Sequence, residues 1–201
     1  HVFSGSVAFS AFQPIDIKPV IGRKWITNGV DNINFQRYKD AYDDSPTNSS
    51  IINAFVSYVF GEGLIDKHGT DLRKYIKQED VELMCQDYKT YGGYSAQVIW
   101  GKGTIPARIE YLPIAKQGIN VDDEMNVDGF WYSWDWKNRY RYRPAFYPKF
   151  DGTRKQDLEI LYVRRPTAES FFPVPDYFSG IPWAKVEGEL ANGALHHFQN
   201  G

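Results

Sequence analysis

The stretch "KNRYRYRP", residues 137–144, alternates Arg139, Arg141 and Arg143 with Tyr140 and Tyr142. In an extended chain successive side chains point to opposite faces, so three guanidiniums share one face and two rings the other. Such a face can hold nucleic-acid phosphates while the rings stack on bases. It can equally pair with acidic groups of a neighbouring subunit. It can also be the solvated side of an edge strand. A phosphate-tracking surface gathers basic residues from several segments, whereas this run is local and the chain carries a net charge of −2. The acidic run Asp122, Asp123 and Glu124 offers complementary partners. Subunit contact is therefore expected ahead of sequence-blind DNA binding.

Other chemistry is sparse. There is no GxxxxGK[ST] phosphate loop and no GxSxG nucleophile elbow. Gly61-Glu62-Gly63 and Gly101-Lys102-Gly103 read as isolated turns. His196 and His197 are adjacent, so on a helix they point about 100° apart and suit one metal poorly. His68 has no neighbouring ligand partner. Asp122, Asp123 and Glu124 have oxygens for a divalent cation but read better as a solvated loop. Cys85 reads as a small buried hydrophobe. No cofactor, no metal and no enzymatic activity are expected. Phosphoryl transfer would need clustered carboxylates with a base or a Lys beside them.

These residues need elements to hold them. Residues 1–24 contain Pro14 and Pro19 and read as an extended arm, because proline removes ladder donors and fixes φ. Residues 25–201 read as one α+β domain. A short helix is expected between Trp25 and Tyr42. A second helix, capped by Thr47, Asn48 or Ser49, runs to Phe60 and ends on a left-handed Gly61. It is apolar on nearly every side, so burial all round is expected, with Ile52, Phe55 and Val59 in the core. A third helix is expected from Asp71 to Tyr91, stopped by Gly92-Gly93.

The period then changes to two. "YSAQVIWGKG" and "ARIEYLPI" read as a hairpin. Val121 to Val127 is a weak strand or loop. "GFWYSWDW", "PAFYPKF" and "DLEILYVRR" read as strands, with Trp131, Trp134 and Trp136 as core candidates. "IPWAKVEGELANGALHHF" returns to helical spacing, with Pro182 in its first turn. The class is α+β: an antiparallel, aromatic-rich sheet packed with several helices.

Composition bounds the function. With 42% hydrophobic and 24% charged residues, the 201-residue chain can build a sizeable core. A single cysteine excludes a disulfide within it, which fits a reducing compartment. No apolar run approaches the roughly 20 residues a membrane helix needs. The chain begins at His1 without a Met and reads as a portion of something longer. Aromatics are unusually abundant at 16%. They keep open a binding-module reading, a β-rich domain recognising a glycan or peptide, in which two tryptophans lie side by side in a groove. A packed core would instead bury at least part of the Trp131, Trp134 and Trp136 set.

Three stretches resemble tailed-bacteriophage portal proteins, in order and at plausible spacing. "SPTNSSIINAFVSYVFGEGL" resembles the Ser-Pro-Thr turn that opens an apolar helix ending in Gly-x-Gly. "IEYLPI" followed by "GFWYSWDWKN" looks like the family's strand and loop leading to an aromatic strand. "FFPVPDYFSGIPWAKVEGELANGALHHFQNG" is similar to its Pro-x-Pro-Asp-Tyr run into a helix ending in Asn-Gly. The resemblance implies the N-terminal, wing-side portion of a ring-forming structural protein, usually a dodecamer. It implies a place in the virion at the portal vertex, after assembly in the host cytoplasm. DNA would pass through the channel without sequence specificity, and capsid, terminase motor and tail adaptor proteins would dock on the ring. The clip and stem would lie in sequence not present here, so no channel or motor-docking residue is assigned.

Overall fold

The computed structural model describes residues 25–65, 69, 71–124, 126–165 and 170–200. The expected arm over residues 1–24 and His68 lie outside the described residues.

Among the described residues, four α-helices and six strands follow in the order α1 (Ile33–Asp43), α2 (Pro46–Phe60), α3 (Gln78–Tyr91), β1 (Gly93–Trp100), β2 (Pro106–Tyr111), β3 (Gln117–Val121), β4 (Val127–Tyr132), β5 (Ala145–Pro148), β6 (Leu158–Arg164) and α4 (Ile181–Asn200). The strands form two antiparallel three-stranded sheets, ordered β2-β1-β6 and β3-β4-β5. The fold is α+β.

Helix α1 is entered through a 3-10 turn in which Asp31 and Asn32 have φ of 52° and 65°. Asp and Asn tolerate this region better than most residues. The buried Asn32 amide accepts from the Asn28 N–H at 2.8 Å and donates to the Ala115 and Gln117 carbonyls at 3.0 and 2.9 Å. It thereby fastens the entry of α1 to the start of β3.

Helix α2 begins earlier than its cap candidates. Ser45 is the N-cap: its Oγ accepts from the Asn48 N–H at 3.1 Å, with Pro46 at the first helical position. Proline's missing N–H is harmless there, since that donor has no helical partner anyway. Gly61 ends the helix with φ 50° but ψ −119°, outside the left-handed helical region.

The expectation of burial all round does not hold for α2. Ile52 is fully enclosed and Val56 buried, Phe55 is half-buried beneath the Lys89 ammonium, and Val59 is 52% exposed. Ile51 and Tyr58 are also exposed. The domain covers α2 from one side, where α1 and α3 pack, and leaves the opposite face open.

Helix α3 starts at Gln78 rather than Asp71. Asp71 instead caps a 3-10 turn, Leu72–Lys74. The sheet claims the chain between them: the Tyr75 carbonyl accepts from the Ile109 N–H at 2.7 Å, and Ile76 bridges Ile109. Gly92 ends α3 with φ 84°. A Cβ there would sit 2.3 Å from the Val174 carbonyl oxygen, so both conformation and space require glycine.

Strand β3 is an element the sequence pattern concealed, because Gly118 interrupts it. Asp122, Asp123 and Glu124 lie in the turn between β3 and β4, the loop alternative of the Val121 to Val127 reading. The core lies where both sheets meet α1 and α4, built from Phe35, Tyr38, Ile119, Phe130, Ile160 and Ile181 among others. Phe130 of one sheet stacks on Tyr162 of the other with ring centroids 4.7 Å apart. Phe35 meets Tyr91 and Phe172 edge to face at 5.5 and 6.0 Å. This packing accounts for much of the aromatic content.

Candidate functional site

The arginine run is a turn, not a strand. After β4 the chain reaches Ser133, whose N–H donates to the Lys116 carbonyl at 3.1 Å. Its Oγ donates to the Tyr142 carbonyl at 2.9 Å and so closes the two ends of a loop. Inside it, the Asp135 carboxylate accepts from the Lys137 N–H at 2.9 Å, from the Asn138 N–H at 3.4 Å and from the Asn138 amide at 2.6 Å. These bonds, the Asn138 amide first, hold the Asp135 carboxyl below its usual range. The Arg141 and Tyr142 N–H groups then both donate to the Asn138 carbonyl at 2.9 Å. An Asp-initiated turn thus overrides the alternating pattern, and the three arginines do not share one face.

They also divide by role. Arg139 pairs with Asp31 at 2.6 Å, both side chains about a quarter exposed. It ties the loop to the entry of α1. Arg141 and Arg143 are exposed and form no ion pair among the described residues. The Arg141 guanidinium lies 5.6 Å from the Tyr142 ring centroid.

The three tryptophans likewise separate. Trp136 is buried, and its indole N–H donates to the Lys116 carbonyl at 2.9 Å. Its ring lies so close over Gly118 that a Cβ there would be 2.8 Å away. Trp131 is half-buried, with its N–H donated to the Asn120 side chain at 3.1 Å and its ring 5.4 Å from Phe146. Trp134 is not a core residue. It is 61% exposed, because the turn at Asp135 throws it outward while Trp136 anchors the base, and the Lys116 ammonium lies 5.5 Å from its ring centroid. Tyr140, 91% exposed, extends the same loop. The result is a loop pinned at both ends that presents Trp134, Tyr140, Tyr142, Lys137, Arg141 and Arg143. The placements of Trp134, Lys116 and Asp31 carry no local sequence signal, since each depends on a turn or on a partner far along the chain.

The remaining candidates do not assemble into a reactive centre. Asp122 accepts from the Glu124 and Asn126 N–H groups at 3.0 and 2.8 Å and so shapes the hairpin turn. No group of His, Cys, Asp or Glu able to hold a metal occurs among the described residues. His196 and His197 are exposed on α4. Cys85 is half-buried rather than buried, and burial, then the Glu82 charge, pushes its thiol pKa up. Sequence reading passed over one carboxylate. Asp87 is buried where α3 meets β2, accepting from the Tyr111 hydroxyl at 3.0 Å and the Ile114 N–H at 3.2 Å. Burial raises its pKa to about 7 against the pull of those two donors. Its bonds make it a structural joint.

No family model matches the sequence, and no curated protein matches it. Among solved structures, the fold is similar to a chain in the virion of a native gene transfer agent (GTA) particle, with a TM-score of 0.68 and 13% identity, over 90% of this chain and 48% of that one. It is also similar to a chain in the neck of the native GTA particle, computed with C12 symmetry, at a TM-score of 0.66 and 14% identity over 96% and 48%. A third match is a chain in the neck of the empty particle, computed with C6 symmetry, at a TM-score of 0.68 and 12% identity over 90% and 49%. The chain therefore spans about half the length of the structures it matches. At these identities the shared property is the fold.

Proposed function

We propose that this chain is the wing-side part of a structural subunit in a phage-like particle, and that the whole subunit forms the portal ring at the head–neck junction. The observation that carries this reading is the fold match, which covers nine-tenths or more of the chain and falls on virion and neck components. The C12 and C6 symmetries of the two neck structures suit a ring. Three portal-like motifs in the sequence, found in family order, support the finer assignment. In this reading the assembled ring surrounds the DNA channel and receives capsid, packaging motor and tail adaptor. The chain's role is mechanical and not enzymatic.

The glycan- or peptide-binding alternative needs two tryptophans side by side in a groove. Of the three candidates Trp134 is strongly exposed, Trp131 is half-buried and Trp136 is covered, so these three do not form such a pair.

Negative-stain microscopy of the full-length product, with native mass measurement, tests the proposal. Closed rings are expected, twelvefold if the family habit holds. A monodisperse monomer at the concentrations used for assembly would overturn it.

A further inference from the structure

Two exposed surfaces lack a role within the domain. The first is the loop over 134–143, which presents Trp134, Tyr140, Arg141 and Arg143 around a rigid base. Exposed Trp, Tyr and Arg held in place are the residue types that dominate binding energy at protein interfaces. The second is the outer face of the α2–α3 pair. These helices run antiparallel: Lys89 lies over Phe55, and the Gln78 side chain accepts from the Leu64 N–H. Helix α2 contains no charged residue, yet it exposes Ile51, Tyr58 and Val59. Residues 78–88 of α3 carry Glu79, Asp80, Glu82 and Asp87 and no basic residue. Glu79 and Glu82 are exposed, as are Leu83 and, just beyond α2, Glu62. Acids in the first turn favour a helix start, but Glu82 lies beyond it and the exposed apolar residues of α2 gain nothing from that effect.

The surfaces complement each other in charge and in apolar character. We infer that the 134–143 loop of one copy docks on the α2–α3 face of the next, Arg141 and Arg143 meeting Glu79 and Glu82 while Trp134 and Tyr140 cover Ile51, Tyr58 and Val59. Such a contact is heterologous, with two different patches of the same chain, and a heterologous contact that closes makes a ring. This rests on the ring reading proposed above. Arg139 takes no part, because Asp31 of its own chain engages it. Nucleic acid is the less favoured occupant. The loop's cations all come from one short run that also holds Asp135, and the chain is net acidic, whereas phosphate binding grows with the number of phosphates neutralised along the strand.

The test uses full-length protein in two charge-reversal variants, Arg141→Glu with Arg143→Glu, and Glu79→Arg with Glu82→Arg. Each alone sets like charges against each other at every contact, and its ring population by native mass measurement should fall about tenfold or more. Co-expressed, the variants carry complementary contacts again, and rings of alternating composition should return. That recovery cannot come from unfolded protein. Rings formed by either variant alone as readily as by wild type, or no recovery on co-expression, would overturn the docking surface. So would a loop variant that assembles normally but loses binding to a short DNA duplex, which would make nucleic acid the occupant. A wild-type protein that forms no ring would overturn the ring reading itself and the docking surface with it.

Discussion

Ile52 and Val59 belong to the same helix and meet different surroundings. Ile52 is sealed beneath α1 and α3, so truncation to Ala leaves a cavity and should cost about 2–5 kcal/mol. Phe55 is half-buried, and its truncation should cost about 1–2 kcal/mol from lost apolar contact and the Lys89 cation–π contact. Val59→Ala should change stability by no more than about 0.5 kcal/mol. Urea unfolding of the three variants checks the order, and equal losses at 52 and 59 would contradict the burial pattern. Asp87 gives a second prediction. Burial lifts its folded pKa to about 7, above the ordinary aspartate value of 3.8, so the folded state holds the proton more tightly. The stability it contributes is full below the unfolded pKa and is lost as pH rises from about 4 through 7. Asp87→Asn keeps an acceptor for Tyr111 and Ile114 but cannot ionise. The difference in stability between wild type and variant should therefore shift steadily in the variant's favour between pH 4 and 7. A difference that stays constant with pH would refute it. Nothing in the local sequence distinguishes Asp87 from the exposed acids of the same helix. Its burial is created by β2 and the turn at Ile114, which join it from more than twenty positions away.

Among the elements, the junction of α2 and α4 depends on a small polar cluster. The Ser45 hydroxyl caps α2 and also donates to Glu187 of α4, and the Thr47 hydroxyl reaches the same carboxylate at 2.7 Å. These bonds lower the pKa of Glu187, Ser45 first. A depressed carboxylate stabilises the fold above its unfolded pKa, and that contribution is lost as pH falls through its folded value. Ser45→Ala removes both the cap and one bond to α4, and should cost about 1–2 kcal/mol. Ser49→Ala, which removes only an exposed hydroxyl bonded to the Pro46 carbonyl, should cost much less. Thermal melts of the pair test whether Ser45 or one of the later candidates caps the helix. Helices were readable here because their apolar spacing and their glycine stops are local. The hairpin of β1 and β2 was readable for the same reason. Strand β3 was not, since Gly118 breaks its pattern and is required because the Trp136 ring and the Ile26 carbonyl, both distant in sequence, lie against it. The arginine run misled in the opposite way. Its alternation is genuine, but the Asp135 carboxylate bonds the following amides and coils the segment before pairing can extend it.

For the whole molecule, the question is whether any part of this surface does chemistry. The acids most open to that suspicion are Asp122 and Asp123, exposed at the tip of the β3–β4 hairpin. Hydrolysis of a phosphodiester or a nucleotide needs metal ions or general acids and bases gathered around one reacting atom. Asp122 has its Oδ1 engaged by two backbone amides of its own turn. The one carboxylate described with a pKa near 7, Asp87, is enclosed and bonded to Tyr111 and Ile114, with no opening to a substrate. No turnover of nucleoside triphosphates or DNA, with or without added magnesium or manganese, is therefore expected from the acids of this hairpin. The measurement is phosphate release and strand cleavage across a purification gradient, beside an Asp122→Asn, Asp123→Asn variant. Turnover that follows the protein peak and disappears in the variant would make this hairpin a catalytic site and replace the structural reading. Turnover that survives in the variant and separates from the protein peak would mark a contaminating enzyme and leave the structural reading in place.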